Sequence, residues 1–146
     1  MIRVPIFLGF VAVVLSFEAT AATLINDSEA KLPAPAKVVA TRAITRGPGI
    51  KVVSPDVSAE KVASPFPLRI AFEPRGGSKI DLSSVKLTYL KTPSVELLDR
   101  VKGGLSEKGI ELASAEVPPG EHQIRVTIQD SEGRQTSTIL NLNVVK

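Results

Sequence analysis

Apolar and polar residues alternate with period two over several short stretches of the chain. Each stretch ends at a cluster of Gly, Pro, Ser or Asp. Ile50-Lys51-Val52-Val53 reads as a short strand that stops at Ser54-Pro55. Phe66 to Phe72 alternates, with Leu68, Ile70 and Phe72 on one face. Pro67 lacks a backbone donor, so it belongs at a strand start or on an edge. Pro74 to Ser78 is a turn. Val85-Lys86-Leu87-Thr88-Tyr89 alternates again, with Val85, Leu87 and Tyr89 inward. Pro118-Pro119-Gly120 is a break. From His122 to Gln129, Ile124, Val126 and Ile128 point in. Asp130-Ser131-Glu132-Gly133 predicts a hairpin turn with a positive φ at the glycine. The last strand runs from about Gln135 to Val145, with Leu140, Leu142 and Val144 in and Asn141 and Asn143 out. Repeated alternation between such turns predicts an antiparallel sandwich or barrel, buried on one face and wet on the other.

One stretch has a different period. In Ser94 to Lys102 the apolar residues Val95, Leu98 and Val101 recur every three positions. That spacing predicts a short helix around 94–102, with Glu96 and Lys102 complementing its dipole. A strand with a bulge is the alternative. Gly103-Gly104 ends the element in both cases. Ile110 to Val117 then predicts a further strand or an irregular edge.

The N-terminal part has a different organisation. Arg3 is followed by an uncharged, mostly apolar run of 14 residues, Val4 to Phe17, and then by Ala19-Thr20-Ala21. This is the order of a secretory signal peptide, predicted to be cleaved after Ala21 or, as the alternative, after Ala22. The run is short for a membrane span, which needs about 20 residues. Residues 22–36, small, polar and ending in Pro-Ala repeats, suit a linker without a core. Residues 37–46 are more β-like, so 22–46 is expected as an Ala/Pro-rich linker or an extra edge strand. Gly47-Pro48-Gly49 marks the start of a folded domain at 47–146. Cleavage would remove Arg3 and Glu18 together, leaving the net charge at +3. The charges are scattered, without a basic run that would indicate nucleic-acid binding.

Composition narrows the chemistry. The chain has 146 residues, no cysteine and one histidine, His122. Disulfides, thiolate nucleophiles, Cys-based metal sites and a lipidated cysteine are excluded. Beyond residue 21 the only aromatics are Phe66, Phe72 and Tyr89. That leaves few rings for stacking on sugars or bases.

Two stretches carry a resemblance. Phe72-Glu73-Pro74, followed by Gly77 to Leu87 with its Ile80-Asp81 turn, resembles a segment of bacterial exported immunoglobulin-like domains. Pro119-Gly120-Glu121-His122-Gln123-Ile124-Arg125-Val126 with Asp130 to Gly133 resembles their closing hairpin. The likeness spans roughly 47–146 and implies an immunoglobulin-like antiparallel β-sandwich. It implies little about function, since such domains serve as spacers, adhesion modules, enzyme appendages and assembly factors. The Cys-Trp-Cys core of antibody domains is missing. Asp81 is expected to cap the turn before Val85 by accepting backbone N–H bonds.

Candidate chemistry is sparse. His122 could join a Ser and an acid in a triad, but its neighbour Glu121 points to the opposite face of a strand and no Gly-x-Ser-x-Gly elbow exists. A histidine packed on the backbone at a strand end is the simpler reading. Asp130 to Gly133, with Asp56 or Asp81, offers oxygens to calcium, yet no loop has a dense acidic array. Glu96, Asp99, Glu107 and Glu111 are the candidates for a carboxylate pair, without an aromatic subsite around them. Gly76-Gly77 and Gly103-Gly104 lack the Lys-Ser/Thr tail of a phosphate loop. The sheet edges, which can accept a partner strand, are the more plausible surface, unless Pro65 and Pro67 blunt them. The expectation is therefore a periplasmic or secreted, non-catalytic module that binds protein, with no catalytic, cofactor or metal residues assigned. No nucleic acid and no membrane span after cleavage are expected. The alternative is an accessory module of the cell envelope for calcium or a small ligand.

Overall fold

Alternation becomes strand wherever one face can be buried, and two sheets result. A computed structural model describes residues 22–35, 46–56 and 59–146. The predicted signal peptide, residues 1–21, and most of the β-like stretch 37–46 lie outside these residues. The strands are β1 (Ala22–Thr23), β2 (Gly49–Ser54), β3 (Val62–Ala63), β4 (Phe66–Glu73), β5 (Ile80–Tyr89), β6 (Val95–Glu96), β7 (Leu105–Ser106), β8 (Gly109–Glu116), β9 (Gly120–Asp130) and β10 (Gln135–Val145). Two one-turn helices, α1 (Asp27–Ala30) and α2 (Leu98–Val101), complete the set, with a 3-10 turn at Lys102–Gly104.

One sheet has the order β1-β8-β4-β2, with β7 also beside β8; the other has the order β3-β10-β9-β5-β6. The fold is an all-β sandwich. Its core takes Leu68, Ile70 and Phe72 from β4, Val85, Leu87 and Tyr89 from β5, Ile124, Val126 and Ile128 from β9, and Leu140, Leu142 and Val144 from β10. These are the inward residues that the alternation predicts. Each fully buried side chain of this size stabilises by about 1.5–3 kcal/mol.

The sheets are mixed rather than purely antiparallel. β1 runs parallel to β8 and β3 runs parallel to β10. Both are two-residue strands at sheet edges, too short for alternation to show in the sequence. β8 is no edge: β4 lies on one side, and β7 and β1 share the other. The helix expected around 94–102 is one turn long. Val95 and Glu96 pair with Tyr89 and Thr88 as strand before it begins.

Irregularities fall where the sequence demands them. The β4–β8 register slips between Phe66 and Leu68. Pro67, which cannot donate to the ladder, sits at that slip. β2 slips against β4 between Val52 and Ser54, and Val53 is left 47% exposed. β5 begins at Ile80, ahead of the predicted Val85, because it carries a bulge: Asp81 pairs with Gln129 and Lys86 with Thr127. Inside it, the Asp81 carboxylate accepts hydrogen bonds from the Ser83 backbone N–H at 3.0 Å and the Ser83 hydroxyl at 2.6 Å. Asp81 thus caps the turn as expected.

The N-terminal segment departs most from its composition. Residues 22–33 lie on the sandwich. Leu24 and Ile25 are 0% and 1% exposed and belong to the core. The reading of this stretch as a linker without a core fails because two apolar residues in a row suffice once a sheet edge and a helix turn flank them. Asn26 caps α1, accepting from the Glu29 N–H, while Glu29 accepts from the Asn26 N–H. This capping box, Asn-x-x-Glu, holds the chain in a turn just after the buried pair.

Candidate functional site

His122 is the second residue of β9 after Gly120 and only 3% exposed. Its Nε2 lies 2.7 Å from the Pro118 carbonyl oxygen, and its Nδ1 lies 2.7 Å from the Tyr89 hydroxyl. A carbonyl only accepts, so Nε2 carries the proton. Nδ1 is then the acceptor and Tyr89 donates. The ring is a neutral bridge between β5 and the Pro118 turn. Burial pushes the His122 pKa down, partly opposed by the Pro118 bond, and Lys91 lowers it further. Burial also pushes the Tyr89 phenol up, with Glu29 adding to the effect. Both ring nitrogens are engaged and no serine contributes to the bridge. Glu121 is exposed on the opposite face, as expected.

The acidic turn is a closed structure. The Asp130 side chain is fully buried and its two oxygens take four donors. Oδ1 accepts from the N–H groups of Glu132 and Arg134, at 3.0 and 2.9 Å. Oδ2 accepts from Arg134 Nε at 2.8 Å and from the Ser78 hydroxyl at 3.2 Å. Burial would raise its pKa, but the bonds from Arg134 and Glu132 outweigh this and hold it below the usual carboxylate range. The same turn bonds back to the 75–79 loop, since Ser131 N–H donates to the Lys79 carbonyl at 2.8 Å. Gly133, at φ +79°, closes the turn as the sequence predicts.

The four carboxylates weighed as catalytic pairs are dispersed. Glu96 is on β6 and accepts from the Thr88 hydroxyl at 3.3 Å. Asp99 pairs with Lys102 at 2.6 Å, which lowers its pKa by hydrogen bond and charge. Glu107 is in the β7–β8 turn. Glu111 is in the other sheet and pairs with Arg69 at 2.9 Å. Among the described residues no three His, Asp or Glu side chains come together in a way that could hold a metal ion. All three aromatics beyond residue 21 are buried, at 0–5% exposure. No helix among the described residues is long and apolar enough to cross a membrane.

Two arrangements were not visible as sites in the sequence. The first is a clasp. Arg100 on α2 forms a fork on Glu29 of α1, with Nη1–Oε2 at 2.7 Å and Nη2–Oε1 at 2.5 Å, and its Nη1 also donates to the Leu24 carbonyl at 2.8 Å. The bond from Arg100 lowers the Glu29 pKa against the opposing effect of burial. The Asn26-x-x-Glu29 spacing marks the helix start, but nothing in sequence links it to Arg100. The second is a cleft of about 480 Å³ over one end of the second sheet. Its polar lining includes Lys91, Glu121, Gln123, Asn141 and Asn143. Gln123 donates to the Asn141 side chain there at 3.0 Å.

Comparison of the chain with known protein families, with curated proteins and with solved structures finds no match.

Proposed function

We propose that this chain is an exported β-sandwich module that works through protein–protein contact rather than catalysis. The observation that carries the reading is that the sandwich completes its own sheet with an added segment. Ala22 and Thr23 lie along the end of β8 as a short parallel strand, and beyond it the Leu24 N–H donates to the Glu116 carbonyl at 2.9 Å. A sheet edge that takes an extended segment by main-chain hydrogen bonds, with two apolar side chains buried beside it and a charged anchor, resembles the geometry of β-strand addition. The polar groups that could have done chemistry are otherwise engaged: His122 bridges Tyr89 and Pro118, and Asp130 holds its own turn.

The immunoglobulin-like reading has support from strand order. β2, β4 and β8 in one sheet face β5, β9 and β10 in the other, which matches strands A, B and E opposite C, F and G of that arrangement. Export rests on the signal-like order of residues 1–21. Cleavage after Ala21 keeps both residues of β1, whereas cleavage after Ala22 removes one of its two pairs.

The test is purification of the processed chain with its bound protein from the cell envelope, followed by reconstitution from the two separated components. A complex of fixed stoichiometry is expected. Turnover of a substrate that is lost in His122→Ala or Glu96→Gln overturns the reading. The cleft beside Gln123 and Asn141 favours a second reading, a small polar ligand. Calorimetric titration with neutral glycans or amino acids that gives saturable heat, lost in Asn141→Leu, would establish it.

A further inference from the structure

We propose that residues 22–33 are an exchangeable element, which takes the same place on a second copy of this chain to form a reciprocal, strand-swapped dimer. The proposal rests on the protein-contact reading above and names one partner for it.

Every anchoring contact of the segment is made to the body of the sandwich. Ala22 and Thr23 pair with Ala115 and Glu116. Leu24 and Ile25 fill the core. Glu29 takes the Arg100 fork. The Pro33 carbonyl accepts from the Thr92 N–H at 2.9 Å. None of these contacts requires the segment and the body to be one chain. Between the segment's last anchor and Gly47 the sequence has 13 residues, Ala34 to Arg46. Fully extended they span up to about 43–47 Å, enough to reach a neighbouring body.

Pro33 is itself the last anchor, and Ala34 and Pro35 line the cleft over the second sheet. Prolines at this spacing keep the exit from the anchored segment extended. When the segment leaves, the places of two core side chains stand open and must be refilled. An identical segment restores every contact without building a new interface, which is why swapping is a low-cost route to a dimer. Dimer fraction should therefore rise with protein concentration during refolding.

The Glu29–Arg100 pair supplies the test. Glu29→Arg and Arg100→Glu each place like charges in the clasp, both within one chain and between copies of the same variant. In a mixture, each variant's segment complements the other variant's body only by exchange. The two processed proteins are refolded together and weighed by native mass spectrometry. The expected result is a dimer with one chain of each, at least tenfold above the dimer of either variant alone, while the double variant, in which opposite charges meet again within one chain, gains nothing from mixing. A mixture that stays monomeric, or single variants that dimerise as well as the mixture, overturns the proposal.

A second measurement covers variants that fail to fold. Thr23 and Glu116 are paired, exposed positions. Neighbouring strand positions are close enough for a disulfide. The chain has no cysteine of its own. Thr23→Cys with Glu116→Cys, refolded at high concentration and oxidised, should give covalent dimers on a non-reducing gel. Only intrachain crosslinks would contradict exchange. If exchange fails while a different protein forms a stoichiometric complex, the protein-contact reading stands and the partner is not a second copy.

Discussion

Tyr89 and His122 are 33 positions apart in sequence and meet with 2.7 Å between Oη and Nδ1, buried between adjacent strands. The contact explains why the one histidine of the chain lies buried at a strand start. Tyr89→Phe keeps the ring and removes the donor, leaving Nδ1 buried without a partner. A buried acceptor left unpaired costs about 1–3 kcal/mol. The urea midpoint should fall by that equivalent with the slope unchanged. A midpoint equal to that of the native chain would mean that the bond contributes nothing.

Stability should fall in mild acid. The folded-state pKa of His122 lies below its ordinary value of 6.5 because the ring is buried. Between those two values the unfolded chain binds more protons than the folded one, so stability rises with pH. The contribution is complete above pH 6.5 and is lost as pH falls from there toward the folded value. Glu29 and Asp130, whose pKa values are lowered, act in a separate window. Their stabilisation is present above about 4.5 and 3.8 and is lost as pH falls through their folded values. Urea midpoints measured from pH 7.5 to 5 should slope for the native chain and flatten for His122→Asn.

Calcium should leave the protein unchanged. Asp130 already accepts from Arg134, Glu132 and Ser78, and a cation would have to displace the Arg134 guanidinium. Thermal melting with and without millimolar calcium should coincide. Asp130→Ala should lower the melting temperature, because it frees the Arg134 and Ser78 donors and loosens the hairpin. A calcium-dependent rise in melting temperature that disappears in Asp130→Ala would contradict this account of the turn.

Gly109 has φ +146°, and a Cβ there would overlap the Ile70 carbonyl on β4. Gly103, in the 3-10 turn, has nothing within 4 Å of its would-be Cβ. Gly109→Ala should lose about 3 kcal/mol from backbone strain and overlap, whereas Gly103→Ala should be near neutral. Equilibrium unfolding of the two variants side by side checks the contrast.

The long strands were legible because their alternation is long enough to reveal the buried face: β4, β9 and β10 each carry at least three inward apolar residues. The Asp130–Gly133 turn and the packed role of His122 were legible from local residue types. The identity of the histidine's partner was not, since Tyr89 reaches it only through strand pairing. Two-residue strands such as β1 and β3 carry no period, so the parallel edges that make the sheets mixed were invisible. At residues 22–33 the Ala/Pro-rich composition outweighed two informative signals, the Leu24-Ile25 pair and the capping box Asn26-x-x-Glu29. The Glu29–Arg100 clasp is set by tertiary packing over 71 positions, beyond any local pattern.

The most direct test of the protein-contact reading is site-specific photo-crosslinking in the living cell. The crosslinking residue is placed at Thr23 on β1, at Val53 on the edge strand β2, and at Glu132 in the closed hairpin turn. All three positions are exposed. Crosslinks to one protein of defined mass are expected from an edge position, with none from Glu132. Edge positions that crosslink to nothing, in a chain that has reached the cell envelope, would contradict that reading.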